Sequence, residues 1–422
     1  MRSTMSDLRW LPPAVAGLLL TLPGAAGAVD PLPEGHTGIA AGYVGDAGIG
    51  DDPQVIFADD FEGYASPEDL WTAWDNVYHL DNIALVDGAE GMDGSRSVRL
   101  TLPTQATEVS NELMKNVEPA VDVLFLRYYG KYDPAFDVVG SSHNGSTMSA
   151  SYWDGPGAGP GIPADGTNKF LVNLEAGRGE DSDPAPGWLN VYIYHPEQRD
   201  VWGDHFYPTG VVAPFTSTPF DFGPEFVPRP DVVPQTDEWN SYEIMVQANT
   251  PGEHDGRIAA WIDGALVMDF HNLRLRDVAQ LQLDLFGVGF HAGANANAPC
   301  HKWYDNVVAA TAYIGPIATE PGGGDGGDDT SGGGGSDGGT GDAADTSAGP
   351  GGDGGTGPTD GSGVGGDGDG DGADSGAGPD AGAGTDAPAS AGCGCRSGAP
   401  AAAGWWILLL SAPWSRRRRP SR

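Results

Sequence analysis

The chain has 422 residues, with 59 Asp and Glu against 21 Lys and Arg and a formal net charge of −38. Affinity for nucleic acid comes largely from cationic neutralisation of phosphates, so a chain this acidic is excluded as a nucleic-acid binder. Three cysteines are too few for a disulfide framework.

In chain order, residues 1–28 read as a signal peptide. Arg2 and Arg9 are basic, Leu11 to Leu22 is a short apolar run, and Gly24 to Ala28 is a small-residue cleavage region. The protein is therefore expected to be exported. Residues 29–50 read as an N-terminal linker, and residues 51–318 as the body. Within the body, runs such as "DVLFLRYYGKY", "NKFLVNLEAGR", "WLNVYIYH", "NSYEIMVQAN" and "QLQLDLFGVGF" alternate with period two between clusters of Gly, Pro, Asp and Asn. Pro67 to Trp74 reads as one short helix, and no segment sustains a 3.6-residue apolar period. The expected fold class is all-β: a two-sheet antiparallel jelly-roll sandwich. Cys300, alone in the body, reads as a buried free thiol.

Strand alternation nominates the side chains that share a face. On "LFLRYYGKY", Arg127, Tyr129 and Lys131 oppose Leu126 and Tyr128. On "KFLVNLEAG", Asn173 and Glu175 oppose Phe170, Val172 and Leu174. On "WLNVYIYH", Trp188, Asn190, Tyr192 and Tyr194 oppose Leu189, Val191 and Ile193. On "DLFGVGFH", His291 shares a face with Gly287 and Gly289. Each strand has one apolar face and one face of aromatic and polar groups. Such a face suits sugars, whose C–H faces stack on rings and whose hydroxyls demand hydrogen bonds. His143 follows the first of these strands on a Gly-rich loop. Arg127, Lys131, His143, Tyr192, Tyr194 and His291 are thus expected around one concave groove as catalytic candidates. Tyr129, Asn173, Glu175, Trp188 and Asn190 are the substrate-binding candidates. His195, His205, His254, His271 and His301 read as surface or loop histidines without metal-ligand spacing. No Gly-x-Ser-x-Gly elbow marks a serine nucleophile.

Residues 319–391 read as a disordered anionic stalk of Gly and Asp: positions 321–390 alone hold 29 of the 67 glycines and 14 aspartates. Residues 392–422 hold Cys393 and Cys395, an apolar run centred on Trp405 to Leu410, and Arg416 to Arg419.

Two resemblances add to this reading. The order Asp59-Asp60-Phe61-Glu62, Gly94 to Leu100, Trp261-Ile262-Asp263-Gly264 and Tyr304-Asp305-Asn306-Val307-Val308 resembles concanavalin A-like jelly rolls, especially polysaccharide-lyase-like and laminarinase-like domains. The resemblance implies adjacent first and last strands and a concave sheet that receives glycan. With those strands adjacent, Asp60, Glu62 and Asp305 would converge and are expected to hold a structural Ca2+. Lyases of this type neutralise a uronate carboxylate, remove the neighbouring proton and protonate the leaving oxygen. Arg127 or Lys131, His143, and Tyr192 or Tyr194 would fill those roles. The loop at His143 departs from the family, where a lysine is usual. The alternatives are a non-catalytic glycan-binding adhesin or structural surface protein, and a glycoside hydrolase. The hydrolase is disfavoured because the laminarinase signature Glu-x-Asp-x-x-Glu is missing. Residues 392–422 resemble the MYXO-CTERM sorting tail of myxobacterial surface proteins. That resemblance implies transient membrane association, cutting by a sorting protease near Cys393, and display at the cell surface.

Overall fold

The computed structural model describes residues 31–319. The signal peptide, nearly all of the stalk and the sorting tail with Cys393 and Cys395 lie outside the described residues. Seventeen strands form among those described. They begin with β1 (Val55–Asp59), β2 (Asn76–Tyr78), β3 (Ile83–Gly88), β4 (Gly94–Leu102), β5 (Val109–Val121) and β6 (Val123–Tyr132). The next are β7 (Ser142–His143), β8 (Ser146–Ala150), β9 (Phe170–Gly177), β10 (Trp188–Tyr194), β11 (Asp204–Phe206) and β12 (Val212–Ala213). The last five are β13 (Asn240–Gln247), β14 (Gly256–Ile262), β15 (Ala265–Leu273), β16 (Leu283–Ala292) and β17 (Cys300–Ala310). Among the described residues helix is confined to short 3-10 turns, of which Pro67–Thr72 is the longest. Ser66 and Asp69 close that turn with a capping box.

The strands form two antiparallel sheets packed face to face. One is eight-stranded, in the order β15-β14-β13-β6-β17-β4-β3 with β1 beside β17. The other is nine-stranded, in the order β12-β11-β10-β9-β8-β16-β5-β2 with β7 on β16. First and last strands are neighbours, as the jelly-roll resemblance implied.

Alternation then sorts side chains. Leu124, Leu126, Ile244 and Val246 of the eight-stranded sheet meet Val172, Leu174, Val191, Ile193, Val288 and Phe290 of the nine-stranded sheet. Each of these ten is essentially inaccessible, and burying a side chain of this size contributes about 1.5–3 kcal/mol. Cys300 belongs to this core as a free thiol.

A second apolar cluster covers the outer face of the eight-stranded sheet, where Phe125, Met245, Trp261 and Val308 pack with Ala40, Ile49, Tyr313 and Ile314. Residues 31–50, expected as a linker, therefore belong to the fold. Backbone bonds fix them there: Ile39 N–H to Tyr313 O at 3.0 Å, Ala40 N–H to Ile314 O at 2.8 Å and Gly45 N–H to Ala318 O at 2.9 Å. Val44 and Ala318 form a parallel bridge. The segment's glycine-rich composition hid its role, because a strap that bonds through backbone needs no side-chain periodicity.

Candidate active site

The outer face of the nine-stranded sheet is built differently. Its register carries one row of side chains across six strands: Met114, Gly287, Thr147, Asn173, Tyr192 and His205. The neighbouring rows pair Glu112 with Gly289, Glu175 with Asn190, and His143 with His291. Where Gly145, Gly287 and Gly289 stand, no side chain rises from the floor. A β-carbon at Gly289 would come within 2.8 Å of Glu112 Cγ, and one at Gly145 within 1.9 Å of the Leu174 carbonyl oxygen. The result is a shallow hollow, walled by Glu112, Met114, His143, Asn173 and Glu175 over that glycine floor.

Glu175 is the hub. Its Oε2 meets His143 Nδ1 at 2.7 Å, and its Oε1 lies 3.7 Å from His205 Nδ1. Oε1 accepts no hydrogen bond among the described residues although it is buried. His205 Nδ1 is held by Asn190 Oδ1 at 2.9 Å. The His143 ring lies 4.7 Å from that of Tyr192 and 5.2 Å from that of His291. Burial opposes charge on His143, but the carboxylates of Glu175, Glu112 and Glu108 outweigh it and raise its pKa above 6.5. Burial and the charge on His143 push His291 down to about 3. His205 is lowered by burial against the pull of Glu175. Glu112 is pushed up to about 7 by burial, opposed by His143 and His79. Burial, with Tyr194 beside it, raises Tyr192 and keeps it a phenol. Its hydroxyl accepts from Gly203 N–H at 3.1 Å and shares a hydrogen bond with Tyr194. The hollow thus combines an imidazole whose charged form the carboxylates favour and a carboxyl group poised near neutrality, with a phenol packed beside them, the mixture on which acid–base chemistry depends.

Of the side chains expected here, His143, His291, Tyr192, Asn173, Glu175 and Asn190 come together, and Trp188 stands on the same face at the start of β10. Tyr194 shares the face, but its hydroxyl accepts from Gly161 N–H at 3.1 Å beneath the 151–168 loop. Arg127, Tyr129 and Lys131 do not join them: β6 lies in the other sheet, and these three face outward from it. The Arg127 guanidinium is fully buried against Asp46, and Tyr129 Oη accepts from Ile317 N–H at 2.9 Å. Lys131 Nζ lies 4.8 Å from the Trp303 ring and 5.2 Å from that of Trp239. The cation that does lie on the nine-stranded face is Lys169, its amine 4.9 Å from both the Tyr152 and Tyr194 rings and pushed down to about 8 by burial.

Alternation alone did not single out Glu112 and His205. Glu112 sits on "VSNELMKN", where Asn111 and Lys115 interrupt the apolar parity, and His205 is on a strand of three residues. The histidines expected in loops are also more engaged than spacing implied: His195 is buried against Asp204 at 3.3 Å, and His271 meets Asp269 at 3.0 Å.

Where β1 pairs with β17, the charges of Glu62 and Asp60 add to the burial that pushes Asp305 up to about 7. Each carboxylate is turned to a protein donor: Asp60 to Glu62 N–H, Glu62 to Arg96 N–H, and Asp305 to the Ser97 hydroxyl at 2.6 Å. Among the described residues no group of three or more His, Cys, Asp or Glu side chains is arranged to hold a metal.

No protein-family model and no curated protein matches the chain. Solved structures do. An alginate lyase is 19% identical, over 61% of this chain and 97% of its own, with a TM-score of 0.44. The marine alginate lyase of Aplysia kurodai is 15% identical, over 61% and 99%, at 0.44. The endo-β-1,4-glucuronan lyase of the fungus Trichoderma reesei is 16% identical, over 61% and 95%, at 0.39.

Proposed function

We propose that the hollow binds a polysaccharide laid across the nine-stranded sheet and cleaves it by β-elimination at a uronate. The observation that carries this reading is the meeting of Glu112, His143, Asn173 and Glu175 in one hollow over a glycine floor, with Tyr192 against His143. The roles differ from those expected of Arg127 and Lys131. Protonated His143, held by Glu175, and the Asn173 amide face the uronate carboxylate and stabilise the charge that builds on it. Glu112 takes the C5 proton, the C4–O bond breaks as the C4–C5 double bond forms, and the Tyr192 hydroxyl protonates the leaving oxygen. Glu112, pushed to about 7, takes a proton readily near neutral pH.

One observation favours hydrolysis as a second reading: two carboxyl groups, Glu112 and Glu175, line the same hollow. A single experiment separates the possibilities. The protein is screened on a glycan array, and bound glycans are then followed for ultraviolet absorbance of unsaturated uronate and for new reducing ends. Both signals rising together establishes elimination, and reducing ends without absorbance establishes hydrolysis. Binding without either makes the protein an adhesin, and no binding at all removes the reading.

Address and metal are proposals of the same kind. Export by residues 1–28, and sorting through Cys393 and Cys395 to the cell surface, predict a surface-extracted protein whose intact mass lacks Arg416 to Arg419. A calcium ion on Asp60, Glu62 and Asp305 would require those carboxylates to leave their present donors. Equal melting temperatures in millimolar calcium and in EDTA would remove it.

A further inference from the structure

Directly beneath the hollow, inside the sandwich, is a lysine. Lys302 lies on the inner parity of β17, opposite Leu100 and Tyr132, and is fully buried. Its amine is 3.7 Å from the Tyr132 ring, with Tyr304 at 5.2 Å, Tyr242 at 5.6 Å and Tyr128 at 6.0 Å. An amine inside a hydrophobic core is costly to charge, and burial pushes this one well below the ordinary lysine range. What distinguishes this lysine is its hydrogen bond, which goes to the Asn144 carbonyl oxygen.

Asn144 lies between His143 and Gly145 in the turn joining β7 to β8, and every bond it makes comes from below or beside the hollow. Tyr132 Oη donates to its Oδ1 at 2.9 Å, and its Nδ2 donates to the Ala176 carbonyl at 2.7 Å. Ala176 N–H in turn donates to Oδ1 at 3.1 Å, which ties the turn to the strand bearing Glu175. Tyr304 Oη donates to Gly145 O at 3.3 Å. The upper side of the same turn carries the His143 imidazole on Glu175.

We propose that Lys302, together with Tyr132, is a positioning group for His143: the pair anchors Asn144 from within the core and so holds the imidazole on Glu175. This rests on the reading that His143 acts in the hollow, but its test does not. The geometry resembles the outer support of a metal-bound or catalytic histidine, in which a second layer fixes the ring that does the chemistry. Here the second layer is a buried amine and a phenol acting through backbone.

The test is the titration of the His143 ring, followed by NMR of histidine side chains in the whole protein. His143 is faced by Glu175 from β9, Glu112 from β5, Glu108 ahead of β5, His291 from β16, Tyr192 from β10 and His205 from β11. None of these is altered in the variants. Lys302→Met removes the amine and keeps the volume. Were the amine charged, removing it would by itself move the His143 midpoint up, whereas loosening the contact with Glu175 moves it down. The expected result is a fall of about half a unit or more toward an ordinary histidine, with the melting temperature unchanged or higher. Tyr132→Phe changes no charge and is expected to shift His143 the same way by less. A rise in Lys302→Met with no shift in Tyr132→Phe would make the lysine a remote charge and overturn the proposal, as would no shift in either. Should Lys302→Met fail to fold, Tyr132→Phe decides alone. If neither folds, the cage is a folding element and the proposal is wrong. If the glycan assays show turnover, its loss in kcat with KM unchanged in Lys302→Met is the further expected sign. An absence of turnover leaves the NMR result standing, so the two readings fail separately.

Discussion

The two outer faces of the sandwich carry similar side chains and have opposite fates. On the eight-stranded sheet, Arg127, Glu243 and Lys131 are covered by the chain itself: Asp46 meets Arg127, and the N–H groups of Ile314 and Gly315 bind Glu243 at 2.8 Å each. On the nine-stranded sheet, Glu112, His143 and Glu175 are left at a hollow with a glycine floor. A polar parity on a strand therefore marks a face that is not core, and nothing more. Whether that face is sealed or open depends on which distant segment lies over it.

The comparison can be broken most sharply in the hollow. Tyr192→Phe keeps the ring against His143 and removes only the hydroxyl, so turnover should fall by ~10²–10⁴-fold while glycan binding persists. Retained turnover would remove Tyr192 as the acid. On the sealed face the readout should be stability. Arg127→Met leaves Asp46 buried without its partner, an expected loss of about 3–5 kcal/mol in denaturant unfolding. Arg127→Met with Asp46→Leu should recover much of it, and glycan binding should be unchanged in both.

Next in size is a pH effect. Glu112 has a folded-state value of about 7 against an ordinary 4.5, so the folded chain holds that proton more tightly. Its contribution to stability is present below 4.5 and is lost as pH rises through about 7; His143, also raised, acts with the same sign. Glu112 is only half-buried, so the expected amplitude is about 1 kcal/mol. Glu112→Gln should flatten the fall in melting temperature across that window, and an unchanged slope would show that the carboxyl is not perturbed. The smallest expected effect is at Lys131, which stands between Trp239 and Trp303. Lys131→Ala should cost about 0.5–2 kcal/mol of stability and leave glycan binding untouched; weaker binding would bring Lys131 back toward the groove.

These contrasts also show what the sequence could disclose. Period-two alternation located the strands and correctly grouped Asn173 with Glu175 and Asn190 with Tyr192, because parity is a property of one strand. It could not say which sheet β6 joins, so Arg127, Tyr129 and Lys131, correctly grouped with one another, were assigned to the wrong surface. His143 was legible because a Gly-rich turn exposed it, and His291 because it shares parity with two glycines. Glu112 and His205 were not, since their partners, His143 and Glu175, come from strands far away in sequence. The strap of residues 31–50 was invisible for a related reason: its partners, Arg127 and the backbone of residues 313–318, lie far away in sequence.

That strap also sets where the described chain begins and ends. The bridge between Val44 and Ala318 brings the described chain in and out at one patch, on the sealed face of the eight-stranded sheet. The hollow opens from the opposite side of the sandwich. Both ends of the described chain therefore lie on the side away from the hollow. A polymer proposed to lie across the hollow would cross the nine-stranded sheet without meeting either of those ends.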